Sequence, residues 1–361
     1  MSTQSFVYTF PSVRGVQAGR AYYIAQCPIR LLPKLFLFTD AELPPEMRAQ
    51  RALNTKRVPE IARYIVDNLD SYVFSAITAS VDGDVTFEPN PPEQNRLGDL
   101  HISMDSKFVI NDGQHRHAAL TAALEFEPSI GDETIAVVFF IDRGLSRSQQ
   151  MFADLNRHSV KPSASIGVLY DHRDPLADLT RNVVESFKPL SRVVEREKTT
   201  LAPKSKKLFT LSAVHQCHRA LTAGLEVEDL LSLTVDFWTA LFTGMPDWRS
   251  VAEGQQSSGE IRQEMIHSHG TVLHALGRAG NAYFKQNHIP KWDTFADTVA
   301  EIDWSRNGSG PWNGRVVFAG SVSKSNQSVA LAAAHIKRCL GLELATDEIR
   351  FEAALANGET S

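Results

Sequence analysis

Five consecutive residues, Asp112-Gly113-Gln114-His115-Arg116, combine a carboxylate, a glycine, an imidazole and a guanidinium. These residue types could bind a phosphate group. A glycine lets the main chain approach an anion closely, the N–H groups at a helix start point toward it, and an arginine adds two parallel donors. His115 and Arg116 fall in the first turn of a predicted helix, where the helix dipole favours negative charge. The sequence therefore predicts an anion beside Gly113.

A purely local interpretation of the same residues stays open. Asp112 would then cap the helix, and Arg116 would pair with a nearby carboxylate of the same chain. Glycine turns are common, so the pattern alone does not decide between an internal ion pair and a phosphate site.

The flanking residues predict a strand before this turn and a helix after it. Residues 108–110 are aromatic and β-branched, residues 111–113 are typical turn formers, and residues 118–124 are rich in alanine and leucine. Further on, the apolar run 134–141 predicts a strand buried on both faces, and residues 146–158 predict a helix.

Upstream of the turn, the pattern also predicts alternating elements. Residues 44–53 and the apolar repeat at 58–66 are typical of helices. Residues 72–81 predict a strand, and Asp82-Gly83 predicts a hairpin turn to a second strand at 84–87.

Beyond Pro162 the sequence changes to long helical patterns, so we predict a domain boundary there. The predicted fold is α/β for residues 1–162, followed by a mostly α-helical domain at 163–361. The predicted helices of the second domain are 163–171, 175–187, 211–221, 227–241, 260–277 and 328–340.

Composition narrows the classes of function. The chain has 361 residues, 43% of them hydrophobic, and a net charge of -5, which argues against a protein that coats nucleic acid indiscriminately. No signal peptide or long apolar segment is visible, so we expect a cytoplasmic protein without a membrane span. Cys27, Cys217 and Cys339 are widely spaced, which fits reduced thiols rather than a disulfide framework or a metal site.

A local basic surface could still bind DNA. Residues 191–207 hold six basic residues against two acidic ones, a local charge of +4, although a solvated loop is the alternative. The segment 312–315 precedes a polar loop at 320–325, which could cap the next helix or contact the DNA backbone. The candidate DNA contacts are Lys204, Lys206, Lys207, Arg315 and Lys324.

The DGQHR segment at 112–116 resembles the signature of a family related to the ParB and sulfiredoxin nucleotide-binding fold. This resemblance implies that Gly113, Gln114, His115 and Arg116 hold nucleotide phosphates, with ATP or CTP and Mg²⁺ as the candidate ligands. Arg157 is similar in position to a second basic residue that contacts the nucleotide in that fold.

Several segments along the whole chain resemble the DndB family of DNA sulfur-modification accessory proteins. They are the LNRH-VKPS segment at 155–163, the IHSHGTVLHALG segment at 266–277, and the IDWSRNG, WNGR and SKS segments that follow. The resemblance implies a bacterial system that replaces a non-bridging phosphate oxygen of DNA with sulfur. It also implies DNA and the other proteins of that system as partners, and we expect a homo-oligomer.

Two functions are then open. The first is a DNA-binding regulatory protein, a transcriptional repressor of the modification operon. The alternative is a nucleotide hydrolase or nuclease-like enzyme, in which His115 is the acid or base, Arg116 binds the phosphates and Asp112 binds Mg²⁺.

Overall fold

The computed structural model describes residues 6–36, 57–143, 147–157, 162–287, 290–306 and 310–357. Within this range, the side chains of Gln149, Ala153, Asn156 and Arg157 are not described. The helix predicted at 44–53 also lies outside the described residues. The chain divides into two compact units, Met1–Val160 and Lys161–Ser361, and each is described by itself.

Unit 1 is a seven-stranded mixed sheet with helices, which confirms the α/β class. Its strands are β1 Val7–Gln17, β2 Arg20–Pro28, β3 Ile77–Asp82, β4 Val85–Pro89, β5 Leu97–Ser103, β6 Lys107–Asp112 and β7 Thr134–Ile141. Its helices are α1 Leu32–Leu35, α2 Val58–Val66, α3 Gln114–Phe126 and α4 Ser148–Arg157. The strand order is β4-β5-β1-β2-β7-β3-β6, in which β3 and β7 are parallel and the other neighbours are antiparallel.

The sheet must curl strongly, because β3 and β4 are close in sequence but far apart in strand order. Five strand spacings separate them, which is about 24 Å in a flat sheet. Only Gly83 and Asp84 connect them, and this link spans at most about 11 Å. The rings of Phe10, Phe108 and Phe139 fill the concave face that results. The centroid of the Phe139 ring lies 6.0 Å from that of Phe10 and 6.0 Å from that of Phe108.

The predicted hairpin at Asp82-Gly83 is therefore wrong. The strand β3 begins only at Ile77 and is buried over most of its length between β6 and β7, whereas β4 pairs with β5. Glycine is needed at position 83 for another reason: Ser106 packs closely against it, and a Cβ there would lie 2.1 Å from the Ser106 Oγ. The two-residue hairpin turn occurs at Ala18-Gly19, where both residues have positive φ.

The strand prediction for 134–141 is confirmed, but the prediction that both of its faces are buried is wrong. Ile135, Val137 and Phe139 are buried, whereas the alternate residues after Thr134 are only half-buried. This alternation shows that one face of β7 packs on the core and the other is only partly covered.

Unit 2 is built from helices, with two short strand pairs. Its helices are α5 Ala164–Tyr170, α6 Pro175–Ser186, α7 Lys188–Val193, α8 Leu211–Thr222, α9 Leu230–Gly244, α10 Pro246–Ala252, α11 Ser258–Glu264, α12 Gly270–Gln286, α13 Trp292–Glu301, α14 Asn326–Cys339 and α15 Thr346–Ala356. The strand pairs are β8 Val194–Glu195 with β9 Phe209–Thr210, and β10 Val317–Phe318 with β11 Ser321–Val322.

The prediction of a single helix at 260–277 is wrong, because the helical structure is interrupted between α11 and α12. Met265 forms an isolated bridge with Ser305, and the Ile266 N–H donates to the Trp304 carbonyl at 2.8 Å. Ile266 is fully buried. The tertiary pairing with residues 304–306 therefore overrides the helical pattern of the sequence.

Two buried histidines accept hydrogen bonds from tryptophans in the core of unit 2. The Trp238 Nε1 donates to the His218 Nε2 at 2.7 Å, and the Trp248 Nε1 donates to the His267 Nδ1 at 2.8 Å. An imidazole nitrogen that accepts a hydrogen bond carries no proton. Burial lowers the pKa of His218 to about 3 and, together with nearby positive charges, lowers the pKa of His269 to about 4.

Across the part of the chain that the structure describes, no helix has both the length and the apolar character of a membrane span.

A glycine-to-alanine substitution should have opposite effects on stability at two sites. One site lies where α8 packs on α12, and the other lies on an open face of α5. Gly277→Ala would place a Cβ 2.3 Å from the Cys217 carbonyl oxygen, so we expect the free energy of unfolding to fall by about 2 kcal/mol. Gly167→Ala meets nothing within 4 Å and should raise it by up to about 1 kcal/mol through helix propensity. Urea unfolding of both variants measures the difference, and equal effects would contradict the close helix contact.

The buried histidines predict a loss of stability in acid. Below the ordinary histidine pKa of 6.5, His218 and His269 gain protons in the unfolded chain but not in the fold. The free energy of unfolding is therefore highest above pH 6.5 and falls toward pH 4, by about 1.4 kcal/mol per pH unit for each histidine. Urea unfolding between pH 4 and pH 7 measures this slope. His218→Gln should make it shallower, while the exposed control His172→Gln should leave it unchanged.

Candidate phosphate-binding turn and nucleic-acid interface

The predicted strand, turn and helix around residue 113 are confirmed. The strand β6 ends at Asp112, α3 begins at Gln114, and Gly113 is the single residue between them. Gly113 is the N-cap of α3, with φ of 99°, and no side chain caps the helix. Asp112 is therefore not the helix cap that the local interpretation assigned to it.

Two features require glycine at position 113. A φ of 99° is strained for residues with a side chain. In addition, a Cβ there would lie 3.2 Å from the Ile77 Cγ1 and 3.3 Å from the Arg116 Cζ. The turn is thus packed between the start of β3 and the guanidinium of Arg116.

Arg116 is bound within the fold. Its Nη2 donates to the Asp112 Oδ2 at 2.5 Å. Its Nη1 donates to the Ser75 carbonyl at 3.0 Å, the Ser75 Oγ at 2.8 Å and the Ala76 carbonyl. The side chain of Arg116 is 19% exposed, against 41% for Asp112. This is the internal ion pair that the sequence left open as the alternative.

Because of this ion pair, the groups that could bind a phosphate at the turn differ from those that the sequence predicts. Arg116 needs no ligand to neutralise it, because Asp112 already does so. Gln114 and His115 are half-buried in the first turn of α3, and His115 also makes an interaction within the chain. Phosphate binding here stays a prediction, and it now rests mainly on the main-chain N–H groups that begin the helix.

The structure also bears on the predictions for Arg157, for Cys27 and for metal ligands. Arg157 is the last residue of α4, but its side chain lies outside the described residues, so its predicted role stays a prediction. Cys27 is fully buried, and burial raises its pKa to about 12, so it is not an activated thiol. Within the described part of the chain, no three His, Cys, Asp or Glu side chains converge as metal ligands.

In unit 2, the guanidinium of Arg262 organises the loop that carries the candidate lysines. We call residues 202–207 the basic loop. Arg262 lies on α11, and its Nη2 donates to the carbonyls of Ala202 at 3.0 Å and Pro203 at 2.9 Å. Its Nη1 donates to the carbonyls of Ser205 at 3.1 Å and of Lys207. One side chain therefore fixes four carbonyls of the basic loop.

The lysines of the basic loop differ in their contacts. The Lys207 Nζ donates to the Arg192 carbonyl at 2.7 Å. Lys204 and Lys206 are exposed, and neither has a hydrogen bond or an ion pair with a described residue. Two positive charges without a counter-charge are therefore held on a loop of fixed shape.

A second group of basic residues lies next to Arg262. The His269 Nε2 is 3.1 Å from the Arg262 carbonyl oxygen, and the charges of Arg306 and Lys324 contribute to the lowered pKa of His269. The structure thus brings Lys324 near His269, in the segment between α11 and α12. Lys324 is exposed, and Arg306 donates to the Gly320 carbonyl.

Arg315 has a carboxylate partner within unit 2. It forms a partly buried ion pair with Glu352, which also pairs with Arg338. Burial and the charge of Arg338 lower the pKa of Arg315. This ion pair holds the Arg315 side chain within unit 2, and its predicted contact with DNA stays a prediction.

The sequence did not reveal the roles of Arg262 and Arg306. Arg262 lies within a helical pattern, where an arginine is usually a surface residue, and nothing local indicates that its partners are four carbonyls about 60 residues earlier. Arg306 lies two residues after Trp304 and becomes relevant only because residues 304–306 pair with residues 264–266.

Comparison with known proteins identifies the family. A family model described as DndB, DNA-sulfur modification-associated, matches residues 10–343, which is nearly the whole chain. No curated protein and no solved structure matches. Because the match spans both units, including the turn at Gly113 and the basic loop, the chain belongs to the DndB family of proteins associated with DNA sulfur modification.

Proposed function

We propose that this chain acts in DNA sulfur modification as a DNA-binding regulatory protein. The observation that supports DNA binding is the basic loop, where Arg262 fixes four carbonyls while Lys204 and Lys206 remain exposed without a counter-charge. Lysines in such a position contact backbone phosphates, which hold a protein on a duplex regardless of its sequence.

The fixed shape of the loop favours this function over a solvated loop. A flexible loop loses conformational entropy when it binds, whereas a loop already held by hydrogen bonds loses little. The chain as a whole carries a net charge of -5. DNA would therefore be attracted to this part of unit 2 and not to the surface in general.

The regulatory part of the proposal comes from the family. We infer that the protein represses the operon of its own modification system in the cytoplasm, and that it contacts other proteins of that system. A homo-oligomer would bind two half-sites at once, which raises affinity without new contacts.

The turn at Gly113 is the second part of the proposal. We infer that the N–H groups at the start of α3 bind a phosphate of ATP or CTP, with Mg²⁺, as a regulatory ligand. The hydrolase alternative receives less support, because the Asp112 Oδ2 accepts a hydrogen bond from Arg116, whose charge already neutralises this carboxylate. Binding without hydrolysis is the outcome that the geometry favours.

The DNA proposal predicts a change in salt dependence. The double variant K204A/K206A should bind a labelled promoter duplex about tenfold more weakly. The slope of log affinity against log salt should become less steep by about 1.8, because two phosphate contacts are lost. Fluorescence anisotropy between 50 and 200 mM salt measures both quantities.

A matched control removes two lysines elsewhere on unit 2. Lys188 and Lys291 are exposed, so K188A/K291A changes the net charge by the same amount. Its salt slope should equal that of the unchanged protein. Equal slopes for both double variants, or no DNA binding at all, would contradict the proposed interface.

The contacts of Arg116 at the turn predict that this side chain stabilises the fold. Arg116→Ala leaves a carboxylate and several carbonyl or hydroxyl oxygens without their donor, so the free energy of unfolding should fall by about 2–4 kcal/mol. The exposed control Arg63→Ala should change it by less than about 0.5 kcal/mol.

A further variant, Asp112→Ala, separates ligand binding from hydrolysis. Calorimetry with ATP or CTP and Mg²⁺ should show binding by the unchanged protein, with no phosphate release. Phosphate release that disappears in Asp112→Ala, while the fold is retained, would instead establish the hydrolase. Absence of both binding and release would remove the nucleotide site.

A further inference from the structure

A cavity of about 430 Å³ opens beside the basic loop. One wall is the loop itself, with Lys204 and Lys206. The other wall is the end of α10, with Val251, and the segment that follows it, with Gln255 and Gln256. This volume is within the range of pockets that hold cofactor-sized molecules, and it is larger than a single phosphate requires.

Both walls of the cavity are held by hydrogen bonds. Besides the four bonds from Arg262, the Ser258 Oγ donates to the Ser205 carbonyl at 2.6 Å. On the opposite wall, the Gln255 N–H donates to the Ser250 carbonyl at 2.8 Å. The cavity therefore exists before a ligand arrives, which keeps the entropic cost of binding low.

The lining selects an anion that also has hydrogen-bonding edges. Among the described residues that line the cavity, two are lysines and none is acidic. The Gln255 Nε2 donates to the Glu253 Oε2, which leaves the carbonyl oxygen of its amide as an acceptor. Gln256 is exposed and has no hydrogen bond to a described residue, so both ends of its amide are available.

We propose that this cavity binds a nucleotide, with its phosphate at Lys204 and Lys206 and its base between Val251 and the amides of Gln255 and Gln256. A glutamine amide matches the donor and acceptor pattern on the edge of a base, and a lysine is a phosphate contact. An apolar side chain such as Val251 can pack on the face of the base.

The nucleotide could come from two sources. It is either a free mononucleotide or a nucleotide turned out of the bound duplex into the pocket. The second source rests on the proposed function, because Lys204 and Lys206 would contact the same DNA strand. The first source does not depend on DNA binding, so the two proposals can fail separately.

The test uses the full chain and a pocket-filling variant. Gln256→Trp places a large side chain at the cavity, and Gln263→Trp is the matched control at an exposed position of α11. Calorimetry with dAMP should show binding that Gln256→Trp weakens at least about tenfold and that Gln263→Trp leaves unchanged. Inorganic phosphate and deoxyadenosine alone should bind more weakly than dAMP.

A duplex that contains 2-aminopurine distinguishes the two sources. A rise in its fluorescence on binding, absent with Gln256→Trp, would show that the nucleotide comes from DNA. Binding of dAMP without such a rise would show that the site takes a free nucleotide.

The proposal is overturned if phosphate binds as tightly as dAMP, or if neither dAMP binding nor a fluorescence rise occurs. Duplex binding by anisotropy is measured on the same samples. If duplex binding persists although neither dAMP binding nor a fluorescence rise occurs, the pocket assignment fails while the DNA-binding function stands. If dAMP binds but the duplex does not, the proposed function fails and the pocket stands.

Discussion

A guanidinium group that donates to main-chain carbonyls determines the shape of both candidate sites. Arg116 joins the turn at Gly113 to the residues before β3, and Arg262 joins α11 to the basic loop. Arginine suits this role because it remains charged when partly buried and offers five donors in one plane. A lysine could satisfy fewer carbonyls and would not fix their relative positions.

The local elements of the fold could be predicted from the sequence, but their pairing could not. The strand and helix around Gly113 and five of the eleven described helices of unit 2 follow from periodicity and turn residues. The partners of β3 do not, because Asp82-Gly83 looks like a hairpin turn while both partners of β3 lie later in the chain. Likewise, only the pairing of residues 264–266 with 304–306 ends the helical pattern that begins at Ser258.

The candidate sites show the same division. The sequence singled out Gly113 and the lysines of the basic loop as candidates, because glycine at a helix start and a dense run of positive charge are local signals. It could not decide whether Arg116 pairs with Asp112 or with a ligand, since that depends on how Ser75 and Ala76 approach. It also named Arg315 as a candidate DNA contact, and it could not reveal that this side chain pairs with Glu352.

The order of the strands in unit 1 has a consequence for folding during synthesis. The strand β3 has an apolar, β-branched sequence, yet its two neighbours begin only at Lys107 and Thr134. When residue 82 leaves the ribosome, β3 has no partner, and it must wait for about 60 further residues before the sheet can close around it. Until then its unpaired edges could associate with another nascent chain.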